Sequence, residues 1–392
     1  MAERIVRPTG RGFLLLDSHP TGCVATVEQM RVPPAGKTGP TALIIGSSAG
    51  YGLAATIAGL ARHGIRGIGI GFERPPGRRT ATAGWYRTIA TAGLATELGS
   101  DFTFLNADAF ADETKQETLD LIAKRFGGID YLIYSVAAPR RTDPDTGTTY
   151  SSVIKPLGAP HTTKTLEFDS DGTPALRSLS ADPADEAETE STVKVMGGED
   201  WSRWIAALSD RGLLRDGFQT VALTYIGSRL TSAIYRDGTI GAAKAHLEAT
   251  ATTLTERLSG VHGRAFTSVN GAAVTQASTA IPGIALYVSL LRAVLGDRLQ
   301  SPMEQSIRLW DQLTGAAPLD LDEQGRIRLD RWELEPAVQD AVAERWSAIT
   351  PDTITEHADV DWFRSQFRAL YGFDVPGVDY DRPVEPDLPW PT

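Results

Sequence analysis

Short runs of β-branched and large apolar residues alternate along this chain with longer stretches in which small and apolar residues return every three or four positions. Thr41-Ala-Leu-Ile-Ile-Gly46, Gly67-Ile-Gly-Ile-Gly-Phe72, Phe102-Thr-Phe-Leu105, Tyr131-Leu-Ile-Tyr134, Thr220-Val-Ala-Leu-Thr-Tyr225 and Arg264-Ala-Phe-Thr-Ser-Val269 read as strands. Helical spacing falls between them at 50–63, 83–98, 112–125, 201–208 and 241–258. Strands that alternate with helices require a parallel sheet with right-handed crossovers, so the expected fold is α/β, a Rossmann-type doubly wound parallel sheet.

Between 139 and 196 the pattern gives way to Thr, Pro, Asp and Ser with few apolar positions, a length uncommon for a bare loop in a compact domain. It is expected to be an insertion over the active site. Beyond the last core strand, helical runs at 284–294 and 303–313, the segment Ile327-Arg-Leu-Asp-Arg-Trp332 and further helical runs near 338–349 and 362–370 read as a carboxy-terminal helical addition. The expected organisation of the 392 residues is one decorated domain: a leading segment at 1–40, a dinucleotide-binding core at 41–300 carrying the 139–196 insertion, and the addition at 301–392.

Composition narrows the partners. A formal net charge of −11 argues against nucleic acid and anionic membrane surfaces. The first residues hold no apolar secretion segment, and the apolar stretch 284–295 is short and contains Arg292, so a cytoplasmic protein without membrane contact is expected. Cys23 is the only cysteine, which excludes an internal disulfide and a multi-cysteine metal site and leaves a buried small hydrophobe as its expected role. None of the six histidines has a ligand spacing such as His-x-x-x-His, so no metal is expected.

The chemistry is carried by glycines, a tyrosine and a lysine. Gly46-Ser47-Ser48-Ala49-Gly50-Tyr51-Gly52 lies between a strand and a helix, where glycines let the backbone approach a pyrophosphate and the free amides of the helix start favour its charge. Phe72 and Glu73 end the next strand, and an acid there can accept hydrogen bonds from the adenosine ribose and repel a 2′-phosphate, which favours NADH over NADPH. Arg74, Arg78 and Arg79 nearby leave that preference open. Asp108 and Ala109 follow the third strand, on the adenine side; Ser135, Val136 and Ala137 follow the fourth, where small residues let the nicotinamide end lie flat.

Tyr235 and Lys244 lie nine positions apart, a rotation of about 900° that would leave them on opposite faces of a straight helix. A turn that delivers Tyr235 before a helix begins near Thr239, with Gly238 and Gly241 inside the interval, brings them together. A phenol can hydrogen-bond or protonate an enolate formed by hydride addition, and an ammonium nearby is expected to lower that phenol's pKa. Glu199 and Asp200 could form an acid pair, but Asp200 directly precedes an amphipathic run and reads better as a helix cap.

These motifs resemble the trans-2-enoyl-CoA and enoyl-acyl-carrier-protein reductase family, FabV or TER. The likeness runs through Arg11-Gly-Phe, His19-Pro-Thr-Gly-Cys23, Gly46 to Leu53, Thr82-Ala-Gly-Trp-Tyr86, Val195-Met-Gly-Gly-Glu-Asp-Trp201, Tyr225-Ile-Gly227, the Tyr235/Lys244 pair, Val274-Thr-Gln-Ala-Ser278 and Ala280-Ile-Pro282. It implies a short-chain-dehydrogenase-like fold with an amino-terminal hairpin and a substrate-side lid, and NADH-dependent reduction of the C2=C3 bond of an enoyl thioester carried on coenzyme A or acyl-carrier protein. By the same resemblance Tyr235 is the catalytic tyrosine, Lys244 binds the nicotinamide ribose, and Tyr225 contacts substrate near the thioester. Ala273, Val274 and Thr275 lie beside the nicotinamide, with Gln276 and Ser278 just beyond.

Where the family usually reads Ile-Gly-x-Glu-x-Thr-Trp-Pro-Ile-Tyr, this chain has Arg229 for the acid and Ser232-Ala233 for Trp-Pro, so a differently shaped acyl group and a specialised pathway are open. A carbonyl reductase of the wider short-chain class and a non-catalytic NAD(H)-binding sensor are the rival readings. A monomer or small homo-oligomer is expected.

Overall fold

The computed structural model describes residues 3–34, 39–169 and 172–391. A two-residue hairpin, β1 (Gly10–Arg11) against β2 (Leu14–Leu15), leads into helix α1 (Pro20–Gln29). The core follows as β3 (Thr41–Ile45), α2 (Gly50–His63), β4 (Arg66–Gly71), α3 (Ala83–Glu97), β5 (Phe102–Asn106), α4 (Asp112–Arg125) and β6 (Ile129–Tyr134). Next come the hairpin β7 (Arg140–Thr142) with β8 (Thr149–Ser151), the hairpin β9 (His161–Phe168) with β10 (Pro174–Ala181), and helix α5 (Glu186–Met196). Then α6 (Glu199–Asp210), β11 (Leu214–Thr224), α7 (Thr239–Arg257), β12 (Arg264–Val269), α8 (Ile284–Leu295) and α9 (Pro302–Leu313) complete the core. The chain closes with β13 (Ile327–Arg328), α10 (Pro336–Ala348), α11 (Ile354–His357) and α12 (Val360–Ala369).

Seven strands, all parallel, form one sheet in the order β13-β12-β11-β6-β3-β4-β5. All five residues of β3 are buried, because helices cover both faces of a parallel sheet and leave no solvent side for polar residues. On one face Leu53, Ile57, Leu309 and Trp310 pack on Ile44, and on the other Trp201, Trp204, Leu247 and Leu254 pack around Leu43 and Ile45. Strand order reverses between β3 and β6, which opens a crevice at their carboxyl ends.

The structure departs from the sequence reading in four places. β13 is a seventh strand of the core sheet rather than part of a separate addition: Ser268 pairs with Ile327, and the Leu329 amide donates to Val269 O at 2.9 Å. β11 begins at Leu214, earlier than expected, because the turn-like Arg-Asp-Gly is absorbed in a register irregularity before Gln219, with Gly217 at φ 74°. The 139–196 segment, apart from its undescribed residues 170 and 171, holds two hairpins and a helix; its threonines supply the β-propensity that an apolar count overlooks. Helix α1 adds to the expected elements; Pro20 sits in its first turn and His19 Nδ1 caps it by accepting from Gly22 N at 3.1 Å. Cys23 on that helix is fully buried, and burial pushes its thiol up to about 11. Among the described residues no helix is long and apolar enough to cross a membrane.

Candidate active site

The glycine loop sits at the crevice. Gly46 N and Ser47 N both donate to Ile70 O, at 2.8 and 2.9 Å, and Ser135 N donates to Ile45 O at 2.8 Å, which ties the loop to the ends of β4 and β6. A side chain is excluded at Gly46, which has φ 88° and where a Cβ would lie 2.0 Å from Ser135 O. Helix α2 starts from Ala49 with no side-chain cap, so its first-turn amides remain available to an anion. Those amides, the helix dipole and the close-packed glycines fit the pyrophosphate of a dinucleotide.

A cavity of about 350 Å³ opens beside this loop. Of the expected residues, Gly46, Ser48, Ala49, Gly50, Tyr51, Glu73, Ser135, Val136, Ala137, Tyr225, Tyr235, Lys244, Ala273 and Thr275 all line it, as do Gln276 and Ser278. Glu73 is held there by two hydroxyls: Ser48 Oγ donates to Oε1 at 2.6 Å and Thr82 Oγ1 donates to Oε2, while Asn106 Oδ1 accepts the Glu73 amide at 2.7 Å. Its carboxylate therefore also buttresses the start of α3.

Tyr235 belongs to a turn in which its amide donates to Thr231 O at 2.9 Å and the Asp237 amide donates to Ser232 O at 2.8 Å. Helix α7 then starts at Thr239, where the spacing argument places it. A Cβ at Gly241 would lie 1.8 Å from Arg236 O, so only glycine lets the turn fold back onto the helix start. The insertion braces this junction: Thr239 N donates to Lys155 O at 3.0 Å and Thr239 Oγ1 donates to Val153 O at 2.6 Å. None of its described residues lines the cavity, and its observed contacts brace the start of α7 rather than roof the site.

The electrostatics differ from expectation. Tyr235 is buried, and burial together with the nearby Glu333 charge raises its pKa, so the phenol holds its proton throughout the neutral range; the expected lowering by Lys244 is absent. Burial pushes the Lys244 ammonium down to about 8, opposed by Glu248. The rings of Tyr225 and Tyr235 meet edge to face with centroids 4.9 Å apart.

Sequence reading missed Glu333. This residue is 0% exposed; its Oε1 accepts from Tyr225 Oη and Tyr287 Oη, each at 2.8 Å, and its Oε2 accepts from Ala272 N at 2.5 Å. Burial pushes its carboxyl up to about 7 against the pull of those three hydrogen bonds. The only signal in the sequence was the first of the two acids in Arg331-Trp-Glu-Leu-Glu-Pro336, on a segment read as a carboxy-terminal addition.

Other expected residues stand outside the cavity. Ser47 and Gly52 lie behind the loop, and Val274 packs into the apolar cluster around α8. Phe72 is 74% exposed at the rim of the sheet. Asp108 Oδ1 accepts from Phe110 N at 2.9 Å, and the Ala109 carbonyl accepts from Lys115 Nζ and Trp204 Nε1 at 2.9 and 3.1 Å. Asp200 is no helix cap: α6 starts one residue earlier, and the buried carboxylate accepts from Lys115 Nζ at 2.8 Å and Tyr134 Oη at 3.0 Å. Glu199 pairs with Arg141 and Lys194, so neither acid reaches the site. Arg229, Ser232 and Ala233 do not line the cavity, and the Arg229 side chain is 86% exposed, 3.7 Å from Asp340.

A glycine loop at the switch point of a parallel sheet, with an uncapped helix start, a protonated buried phenol and a lysine in the same cavity, defines a dinucleotide-dependent oxidoreductase. Comparison with known proteins makes this specific. Residues 79–314 match a family model described as the trans-2-enoyl-CoA reductase catalytic region, and residues 5–78 match the NAD(P)H binding domain of trans-2-enoyl-CoA reductase. Residues 321–384 match a model described as an enoyl reductase FAD binding domain; this segment lines none of the cavity, and its described helices pack into an apolar cluster with α8. The chain is 70% identical to an enoyl-[acyl-carrier-protein] reductase [NADH] of Streptomyces avermitilis, over 98% of this chain and 100% of that one. It is 42% identical to a trans-2-enoyl-CoA reductase [NADH] of Clostridium perfringens, over 97% and 99%. It superposes with a TM-score of 0.91 and 35% identity on trans-2-enoyl-CoA reductase of Clostridium acetobutulicum in complex with NADH, covering 98% of each chain. The chain belongs to the trans-2-enoyl-CoA reductase family and is an NADH-dependent oxidoreductase of the enoyl-reductase class.

Proposed function

We propose that the chain reduces the C2=C3 bond of a trans-2-enoyl thioester, with Tyr235 as the hydrogen-bond and proton donor at the thioester oxygen, Lys244 against the nicotinamide ribose, and Tyr225 beside the thioester. NADH, when bound, supplies the hydride for C3. Addition there moves charge onto the thioester oxygen, where the neutral phenol of Tyr235 stabilises it, and a proton delivered to C2 of the enolate, ultimately from solvent, completes the saturated thioester. The observation that carries this reading is the lining of one cavity by Tyr235, Lys244 and the glycine loop. Gly50, Tyr51 and Glu73 would hold the adenosine and pyrophosphate half, and Ser135 to Ala137 with Ala273 and Thr275 the nicotinamide half. Leu223, Ile281, Ile284 and Val288 supply an apolar wall suited to an acyl chain.

Acyl-carrier protein is the carrier we favour, because the relative at 70% identity bears that name. A cytoplasmic location and a monomeric or small homo-oligomeric state belong to the same reading; the net charge of −11 argues against binding to an anionic membrane surface. The test follows NADH absorbance with one trans-2-enoyl group presented on coenzyme A and on acyl-carrier protein. Tyr235→Phe is expected to lower turnover by about a hundredfold or more while NADH affinity stays within about threefold of the parent. Undiminished turnover in that variant would remove Tyr235 from the mechanism.

A further inference from the structure

Three donors converge on the carboxylate of Glu333, and two of them, Tyr225 and Ala272, follow the ends of the paired strands β11 and β12 and line the reaction cavity. Tyr225 Oη and Tyr287 Oη share Oε1, and Ala272 N binds Oε2. Tyr225 lies edge-on against Tyr235, whereas Ala272 opens the segment whose next residues, Ala273 and Thr275, line the nicotinamide side. The same backbone is fixed from its other side, where Tyr51 Oη donates to Gly271 O and Gly271 N donates to Gln305 Oε1 at 2.8 Å. Gln339 Nε2 donates to Tyr287 Oη at 3.0 Å and to Glu333 O at 2.8 Å, locking the carboxylate's own support.

We propose that Glu333 is a positioning residue for enoyl reduction: by accepting from Tyr225 and from Ala272 N it fixes the distance between the phenol wall and the nicotinamide wall of the cavity. This rests on the assignment of Tyr235 and Tyr225 to the reacting centre. A residue needed only to fill the core would be cheaper as an apolar side chain, since a buried carboxylate requires several hydrogen bonds to offset its desolvation. Two acceptor oxygens are also required, one for the hydroxyls and one for an amide. Glutamine supplies one oxygen and an NH2 group: turned to keep the Ala272 amide, it must donate to the two hydroxyls, which reverses their hydrogen bonds and frees the Tyr225 proton toward the cavity.

The arrangement also assigns a role to Tyr225. With its proton committed to Glu333, the Tyr225 hydroxyl offers the cavity lone pairs rather than a proton, which leaves Tyr235 as the donor to the thioester oxygen. Protonation of Glu333 would break this set, because a carboxyl group must then donate one hydrogen bond where it had accepted. The ionisable groups facing it are Tyr225 from the end of β11, Tyr287 from α8, Tyr51 from α2, Tyr235 from the turn before α7, and Asp330 from its own loop. The four tyrosines all have raised pKa values, so none ionises in the range where Glu333 does.

The experiment is a double-mutant cycle on the full-length enzyme, measured as kcat with saturating NADH and enoyl-CoA. Glu333→Gln is expected to lower kcat about tenfold or more while NADH affinity changes less than about threefold. In a Tyr225→Phe background the same change should add almost nothing, because the two residues act as one unit. Losses that multiply would overturn the proposal. Tyr287→Phe removes one donor without altering the cavity lining, and is expected to lower kcat in the same direction by a smaller factor; wild-type kcat there would count against the proposal even if Glu333→Gln failed to fold. The acid limb of the wild-type kcat profile near pH 7 should vanish in Glu333→Gln, and a limb unchanged in that variant would overturn the ionisation argument. If Tyr235→Phe is inactive and Glu333→Gln is fully active, only this inference falls; if Tyr235→Phe is active, the catalytic assignment beneath it falls.

Discussion

Tyr235 and Lys244 feel the same desolvation in opposite senses, because burial penalises the charged form of each: the phenol keeps its proton more tightly and the ammonium gives its proton up more easily. This division suits hydride chemistry, since the donor stays neutral until negative charge develops beside it. It also makes cofactor binding depend on pH. The Lys244 pKa, pushed down to about 8, lies below its unfolded value, so in the free enzyme the ammonium is present below pH 8 and lost as pH rises through it. An anionic dinucleotide favours the ammonium. NADH affinity is therefore expected to be flat below about pH 7 and to weaken above pH 8, by at most about tenfold per unit. Fluorescence titration of NADH from pH 6 to about 9.5 checks this, and Lys244→Met should bind more weakly and with no such slope.

At the scale of elements, the junction of β3 and α2 concentrates the constraints. A Cβ at Gly52 would lie 2.0 Å from Gly46 O and 3.1 Å from the Ser135 side chain, so Gly52→Ala must push the loop away from the end of β6. NADH affinity is expected to fall about tenfold or more, while Gly77→Ala, where a Cβ meets nothing within 4 Å, serves as the neutral comparison. Isothermal titration of the two variants separates the outcomes, and equal affinities would mean that the loop yields at no cost. This junction was legible in the sequence because each of its signals is local. The apolar run of β3, the glycines and the helical spacing of α2 stand within two dozen residues of one another. The start of α7 was legible for a similar reason, since nine positions on a helix cannot bring Tyr235 and Lys244 to one face. Glu333 was not legible, because its meaning lies in Tyr225, Tyr287 and Ala272, each at least 46 positions away. Asp200 misled for the opposite reason: its place beside a helix start is the usual signature of a cap, and only the fold brings Lys115 and Tyr134 to it.

At the scale of the whole molecule, the carboxy-terminal segment is part of the catalytic body. It supplies the seventh strand, carries Glu333 to the carboxyl end of β12, and covers α8, a helix buried on nearly all sides from Ile284 to Leu291. Arg326 and Arg328 bind Asp322 and Asp330 on this segment, and Arg326 also reaches Glu248 on α7 at 3.3 Å, so charge as well as apolar packing fastens it to the core. Val338, Val342, Ile349, Ile354, Phe363, Phe367, Tyr371 and Phe373 are all buried against that helix and its neighbours. At roughly 1.5–3 kcal/mol for each large side chain taken out of water, their burial is worth on the order of 10–20 kcal/mol as an upper estimate. Ordering the segment costs conformational entropy of similar size, so what its loss changes most is the apolar surface of α8, which would be left facing water. A chain ending at residue 320 is therefore expected to be insoluble or to bind a hydrophobic dye strongly, with no cooperative thermal transition by circular dichroism. A truncated chain that melts cooperatively and still binds NADH would show that the nucleotide half is an independent folding unit, and the pairing of β13 with β12 would then be an attachment to a finished core.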